Sequence, residues 1–344
     1  MPSVIIDIEK FTLLPEEQQL IAHPNVAGVL LFTRNIQSRQ QIIDLVSAIH
    51  HINSNIIVMI DHEGGEVQRI HRHGLTPLMS AGWHGRIYDQ NPATGIEIAH
   101  QAGKTMASEL LAIGIDLSLA PVLDLHHPDS TIIGKLDRAF HADPNIVIEL
   151  ARAYINGMHE AGMPAVAKHF PGHGSCIGDS HQELPKNDRQ KLDLFETDLK
   201  PFKQLIAEKK LDGIMPAHVM YPNVDPKNIA SYSKIWLNDI LREQLKFEGL
   251  VISDCLGMKG ADIGSLADRA EKALLGCDLL ITANQKRSDL KAFLDTLPHT
   301  QNLDRIKNFK KRQKVHQESF CNQKTNIDET QPKPFDPLNP TQTV

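Results

Sequence analysis

The sequence predicts a (β/α)8 barrel, the TIM-barrel architecture of the α/β class, on three observations. Eight short apolar runs recur, at residues 4–8, 26–32, 56–60, 115–122, 164–167, 213–215, 250–252 and 278–281. Several are continuous and β-branched or leucine-rich, without alternation, as strands buried on both faces are. Segments with the apolar period of a helix lie between them, at 39–50, 95–113, 144–161, 189–207, 234–244 and 267–275. The chain has no second cluster of strands, and no Gly-x-Gly-x-x-Gly follows the first run. An open doubly wound sheet is therefore the weaker alternative.

Taken in order, the predicted strands end in polar clusters. Asp61-His62-Glu63-Gly64-Gly65 ends the third, with Arg69 close behind. Asp124 and Arg138 fall on a long loop after the fourth. Lys168 and His169 end the fifth and open Lys168-His169-Phe170-Pro171-Gly172-His173-Gly174, followed by Asp179-Ser180-His181. His218 follows the sixth, and Asp254 ends the seventh in Val251-Ile252-Ser253-Asp254. In a parallel barrel the carboxyl ends of the strands form the rim where active sites are built. A lone aspartate after a strand is more often a helix cap. Five strands contributing polar ends to one rim point to a site.

Composition narrows the function. With 41% hydrophobic and 23% charged residues the chain is an ordinary globular protein, and a net charge of −6 gives no reason to expect nucleic acid as a partner. The N-terminus lacks the basic and apolar regions of a signal peptide, and no apolar run approaches the ~20 residues that span a bilayer. Cys176, Cys255, Cys277 and Cys321 are far apart and form no Cys-x-x-Cys pair, as reduced thiols in a cytoplasm would be. The expectations are a cytoplasmic monomer, no membrane partner and no cofactor. One catalytic domain is expected over residues 1–318. A polar, proline-containing tail over 319–344 cannot bury enough apolar area to offset its ordering entropy.

The Lys168–Gly174 run with its Asp-x-His pair resembles the signature of the β-N-acetylglucosaminidases of glycoside hydrolase family 3. Support comes from Asp7-Ile8-Glu9, Phe32-Thr33-Arg34-Asn35 and Asp137-Arg138-Ala139-Phe140-His141, although Lys10 replaces the family's glycine. The resemblance covers roughly residues 3–300. The family stretch Ser-Asp-Asp-Leu-Ser-Met reads Ser253-Asp254-Cys255-Leu256-Gly257-Met258 here, so the nucleophile position is kept and the second Asp is Cys255. The chain has no room for the second domain that supplies a glutamate acid in relatives acting on plain glucosides. The resemblance therefore implies the single-domain bacterial cytoplasmic type, which releases terminal N-acetylglucosamine from anhydro-muropeptides in peptidoglycan recycling.

Retaining hydrolysis needs an ionised carboxylate to attack the anomeric carbon and an acid to protonate the leaving oxygen. The expected nucleophile is Asp254. The expected acid/base is His181, whose unperturbed pKa near ~6.5 suits proton transfer at neutral pH. Asp179, at i−2 on an extended loop, can face the same side and orient the imidazole, and the resemblance implies the same Asp-x-His pair. Asp61 suits acceptance from two neighbouring sugar hydroxyls, and Arg69, Arg138, Lys168 and His169 suit donation. The resemblance implies that these hold the sugar, with Met215 and His218 lining the pocket. An ion pair of Arg69 or Arg138 with Asp61 or Glu63 is equally open, and Asp124 is expected to play a structural part.

Three alternatives stay open. His169, His173, His181 and Asp179 could hold zinc in a metal-dependent hydrolase. Cys255 and Gly257 could mark a glycan-binding relative without catalysis. A histidine acid/base, uncharged once deprotonated, also leaves phosphate free to replace water as acceptor.

Overall fold

The apolar runs close on themselves as a parallel barrel. The computed structural model describes residues 3–297 other than 177, 179, 181 and 182, and residues 303–325, with side chains in that last segment described at 304–316. Its barrel strands are β1 (Val4–Asp7), β2 (Val26–Leu31), β3 (Ile57–Ile60), β4 (Leu117–Ser118), β5 (Val166–Phe170), β6 (Gly213–Pro216), β7 (Leu250–Cys255) and β8 (Leu279–Ile281). They are hydrogen-bonded in the order β4-β3-β2-β1-β8-β7-β6-β5, with β1 parallel to both β2 and β8. β1, β2 and β3 are buried along their whole length, which explains their unbroken apolar sequence.

One seam remains, between β4 and β5. It is joined by a parallel bridge between Val122 and Lys168. Val166 N donates to Ala120 O at 2.9 Å, Lys168 N to Pro121 O at 3.1 Å, and Leu123 N to Lys168 O at 2.7 Å. The strand expected over 115–122 shortens to Leu117–Ser118. Pro121 has no N–H for a ladder, so the chain continues past β4 as an irregular edge.

The outer layer follows from apolar spacing and caps. Helix α1 is Pro15–Ile21. In α2 (Arg39–Ile52) the residues Ile42, Leu45, Val46 and Ile49 fall on one buried face, and Ser38 caps the helix by accepting from Gln41 N. Helix α3 (Ala81–Gln90) precedes α4 (Pro92–Leu111) and α5 (Pro144–Glu160). Both α4 and α5 start with proline behind a capping Asn91 or Asp143. These two helices pack at glycines. A Cβ on Gly103 would lie 2.1 Å from Tyr154 O, and one on Gly157 2.1 Å from His100 O, so only hydrogen fits at each crossing.

The helix expected over 189–207 is two, α6 (Lys191–Glu196) and α7 (Lys200–Ala207). The break holds buried Asp198, which binds Arg189, Thr197 and Ser175. Pro201 then restarts the helix. A π-helix (Ile235–Gln244), α8 (Leu266–Ala273) and α9 (Arg287–Thr296) follow. The last helix, α10 (Leu303–Thr325), carries the chain beyond the boundary expected at 318, its lysines and glutamines being good helix formers. Residues 326–344 of the expected tail lie outside the described residues.

Candidate active site

At the carboxyl ends of the strands lies a cavity of about 490 Å3, whose wall includes Asp61, Arg69, Arg138, Lys168, His169, Met215 and Asp254. Residues separated by almost two hundred positions thus share one concavity because they lie at or beyond the carboxyl ends of five barrel strands, β3 to β7. His218 behaves otherwise. It was expected to line the pocket but is fully buried behind it, its Nδ1 2.7 Å from Ser231 Oγ and its Nε2 3.1 Å from Cys255 O. Burial lowers its pKa. The backbone oxygen it meets belongs to the residue after Asp254, so His218 braces the end of β7.

The β3 side is a charge network. Beyond β3, two short antiparallel strands, His62–Gly64 and Val67–Gln68, turn at Gly64 and Gly65, both with positive φ. Buried Gln68 fixes this hairpin, its amide donating to Ile70 O and Thr76 O and accepting from Leu78 N. Lys168 Nζ then reaches Asp61 Oδ1 at 2.8 Å and Glu63 Oε1 at 2.6 Å. Arg138 grips Glu63 with two 2.8 Å bonds, the bidentate geometry of a guanidinium on a carboxylate. Arg69 Nη2 lies 3.4 Å from Asp61 Oδ2, and its guanidinium stands over the Phe32 ring.

The electrostatics follow from that arrangement. Burial alone would raise the Asp61 and Glu63 pKa values. The cations override it, so Asp61 is held well below the usual carboxylate range by Lys168 and Arg69, and Glu63 is lowered to about 2 by Arg138 and Lys168. Burial would likewise deprotonate Lys168, but the two carboxylates raise its pKa instead. Three cations facing two carboxylates leave this wall with an excess of positive charge beside Asp254.

Across the seam, Asp124 is fully buried and collects three bonds. His169 Nδ1 lies 2.6 Å from Oδ2, while His169 N and His173 N donate to Oδ1 at 3.2 and 2.6 Å. This is the structural part expected of Asp124, and it directs the other imidazole nitrogen of His169 outward. His173 is buried edge-on to His169, with 73° between the rings, and desolvation pushes its pKa down to about 4.

Asp254 is the penultimate residue of β7, with Oδ1 accepting from Cys255 N at 2.7 Å. The Cys255 thiol is held neutral, its pKa pushed up to about 11 mainly by burial, with the Asp254 charge adding to the shift. Asp179 and His181 lie outside the described residues. Ser180 between them is described: it lines the same cavity as Asp254, and its carbonyl accepts from Gly260 N at 2.8 Å. The two loops are thereby tied together.

Glu63 was not singled out from the sequence as a ligand-site residue. The available clue was its place two residues after Asp61 in a glycine-turned segment, where i and i+2 face one way. The zinc alternative rested on a histidine cluster at this rim. Among the described residues, the group with metal-ligating spacing lies elsewhere, at His159, Asp212 and His316.

Fixed, ionised donors and acceptors around a rim carboxylate suit the hydroxyls of a sugar ring, and a parallel barrel presenting them defines a glycoside hydrolase. Comparison with known proteins gives the family. The Glycosyl hydrolase family 3 N terminal domain matches residues 5–315. A β-hexosaminidase of Haemophilus influenzae is 45% identical over 305 residues, covering 88% of this chain and 85% of the relative. NagZ of Neisseria gonorrhoeae in complex with N-trifluoroacetyl-D-glucosamine superposes with a TM-score of 0.83 at 36% identity, over 92% of this chain and 97% of that one. The same protein in complex with zinc ion gives 0.83 at 33% identity, over 93% and 97%. The chain belongs to glycosyl hydrolase family 3, as a β-N-acetylhexosaminidase.

Proposed function

We propose that this enzyme releases terminal N-acetylglucosamine with retention, through a covalent glycosyl-enzyme on Asp254, and that Asp179 and His181 form its acid/base dyad. The observation that carries the reading is the shared cavity. Asp254 and Ser180, the residue flanked by the dyad, line one concavity opposite the Asp61–Lys168–Arg138 wall. In the Michaelis complex, Asp61 accepts from sugar hydroxyls while Lys168 and Arg138 hold it ionised. His169, its ring set by Asp124, donates from its other nitrogen. Arg69 closes the side over Phe32. Met215 supplies an apolar patch on the floor.

The positive excess on the sugar-binding wall steadies the ionised carboxylate of Asp254 before attack. With Asp254 counted, the three cations face three carboxylates, so the oxocarbenium-like charge of the transition state meets no net positive excess and is stabilised by Asp254 itself. His181, held by Asp179, protonates the leaving oxygen and then takes a proton from water.

The natural substrate we propose is an N-acetylglucosaminyl anhydro-muropeptide, hydrolysed in the cytoplasm during peptidoglycan recycling by a monomer whose catalytic unit spans residues 1–318. The relatives' names support the sugar, and the compact cavity supports a terminal residue over an internal one. Release of nitrophenol from 4-nitrophenyl β-N-acetylglucosaminide tests the reading, with wild type and Asp254→Asn each assayed with and without EDTA. Turnover by wild type, untouched by EDTA and reduced about a thousandfold or more in the variant, is expected. Loss of turnover with EDTA would move the chemistry to a metal.

A further inference from the structure

We propose that His159, Asp212 and His316 form a divalent-metal site, zinc being the fitting ion, at the end of the barrel opposite the active site. The three come from separate elements. His159 stands in the last turn of α5, Asp212 immediately precedes β6, and His316 lies on α10. Because Asp212 enters a strand whose far end leads to the sugar cavity, the cluster lies at the amino-terminal face of the barrel.

The geometry is close to what a tetrahedral ion needs. One ligand atom from each residue lies within 4.8 Å of the others. His159 Nε2 is 2.8 Å and His316 Nε2 3.8 Å from the two oxygens of Asp212. Bonds of about 2.0–2.2 Å at a tetrahedral angle place ligand atoms about 3.3 Å apart, so a small side-chain shift would bring one atom of each residue onto a common ion. The imidazoles stack at 4.2 Å and 15°, presenting both Nε2 atoms to one carboxylate.

Asp212 is buried and already positioned, since its Oδ2 also accepts from Ala165 N at 3.0 Å. Two imidazoles and one carboxylate are borderline ligands that suit zinc over magnesium or calcium, and a fourth position would be left for water. A cavity of about 270 Å3, lined by Asp212 and Arg312 but by neither histidine, opens beside the carboxylate. Arg312, one helical turn before His316, lies 3.7 Å from Asp212 Oδ1 and is the cation a metal would displace. Its side chain is 39% exposed, which leaves it room to swing out. Bound metal would tie α10 to α5 and the barrel floor.

The full chain, stripped with EDTA and dialysed, is titrated with ZnCl2 alone by calorimetry in a non-chelating buffer and melted with and without zinc. Cobalt(II) provides a d–d absorption readout. Wild type should bind with a rise in melting temperature of about 5 °C at a hundredfold excess over Kd, and give the intense visible band of tetrahedral cobalt. His316→Gln and His159→Gln, checked for native circular dichroism, should lose the rise and the band while keeping glycosidase turnover. Zinc that only inhibits turnover belongs to the sugar cavity. That result, a rise undiminished in both variants, or no binding by wild type would each overturn the site.

Discussion

Glu63→Gln removes one charge from a buried network while keeping the shape of the side chain. In the folded protein, Glu63 accepts from Nε and Nη2 of Arg138, at 2.8 Å each, and it also meets Lys168 at 2.6 Å. The Arg138, Glu63 and Lys168 side chains are only 10%, 7% and 3% exposed. Water cannot take over the lost contacts, and one Arg138 N–H would face an amide N–H. Breaking a buried pair on one side costs about 3–5 kcal/mol. Roughly 300 ordered residues at about 2.1 cal/mol/K each give an unfolding entropy near 0.6 kcal/mol/K, so the melting temperature should fall by about 5–8 °C. The pH dependence follows from the same residue. Its folded pKa is depressed from 4.5 to about 2, so its stabilising effect is complete above the unfolded value and is lost as pH falls towards 2. The gap between wild type and variant should therefore close on acidification through that window. Glu63→Met with Arg138→Met, which removes both charges, should recover part of the stability. Thermal melts across pH 2–7 read all of this. A Glu63→Gln melting point within about 1–2 °C of wild type at neutral pH would falsify the buried-network account.

Three further outcomes follow. His181→Ala should cripple turnover of natural substrates while sparing aryl glycosides with good leaving groups, which need little protonation. Equal losses on both substrates would remove the acid role. The first-formed sugar, observed by NMR, should be the β-anomer; an α-anomer would exclude the covalent intermediate on Asp254. Gly103→Ala should destabilise by about 1–3 kcal/mol because the new Cβ would meet Tyr154 O at 2.1 Å. Alanine in an unobstructed helix stabilises by up to about 1 kcal/mol, so a raised melting temperature would contradict the close packing of α4 on α5.

The barrel was legible because buried parallel strands leave unbroken apolar runs, and the rim was legible because polar clusters end those runs. Lys168, His169, Asp61 and Asp254 were found this way, and they share the cavity. What escaped the sequence depended on contacts distant along the chain. Nothing local shows that the histidine after β6 turns inward to Ser231 and the Cys255 carbonyl. The ion pair of Arg138 with Glu63, 75 positions earlier, was one of two readings the sequence left open, and the fold that brings the two together forms it. The single helix expected over 189–207 fails because Asp198 satisfies long-range partners in preference to the helix. α3, with two glycines that lower its intrinsic propensity, and the short α1 form where tertiary packing favours them.

The seam between β4 and β5 has a consequence for how variants of this enzyme behave. The barrel is joined there by an irregular edge instead of a full ladder, and Lys168 supplies both a backbone stitch across the join and the ammonium that organises the sugar wall. Asp124, from one side of the same join, holds His169 and His173 from the other. The floor of the active site is thus also the fastening of the cylinder. A sugar held between these residues acts as one more rivet across the gap, so substrate affinity and resistance to opening should vary together whenever this patch is altered.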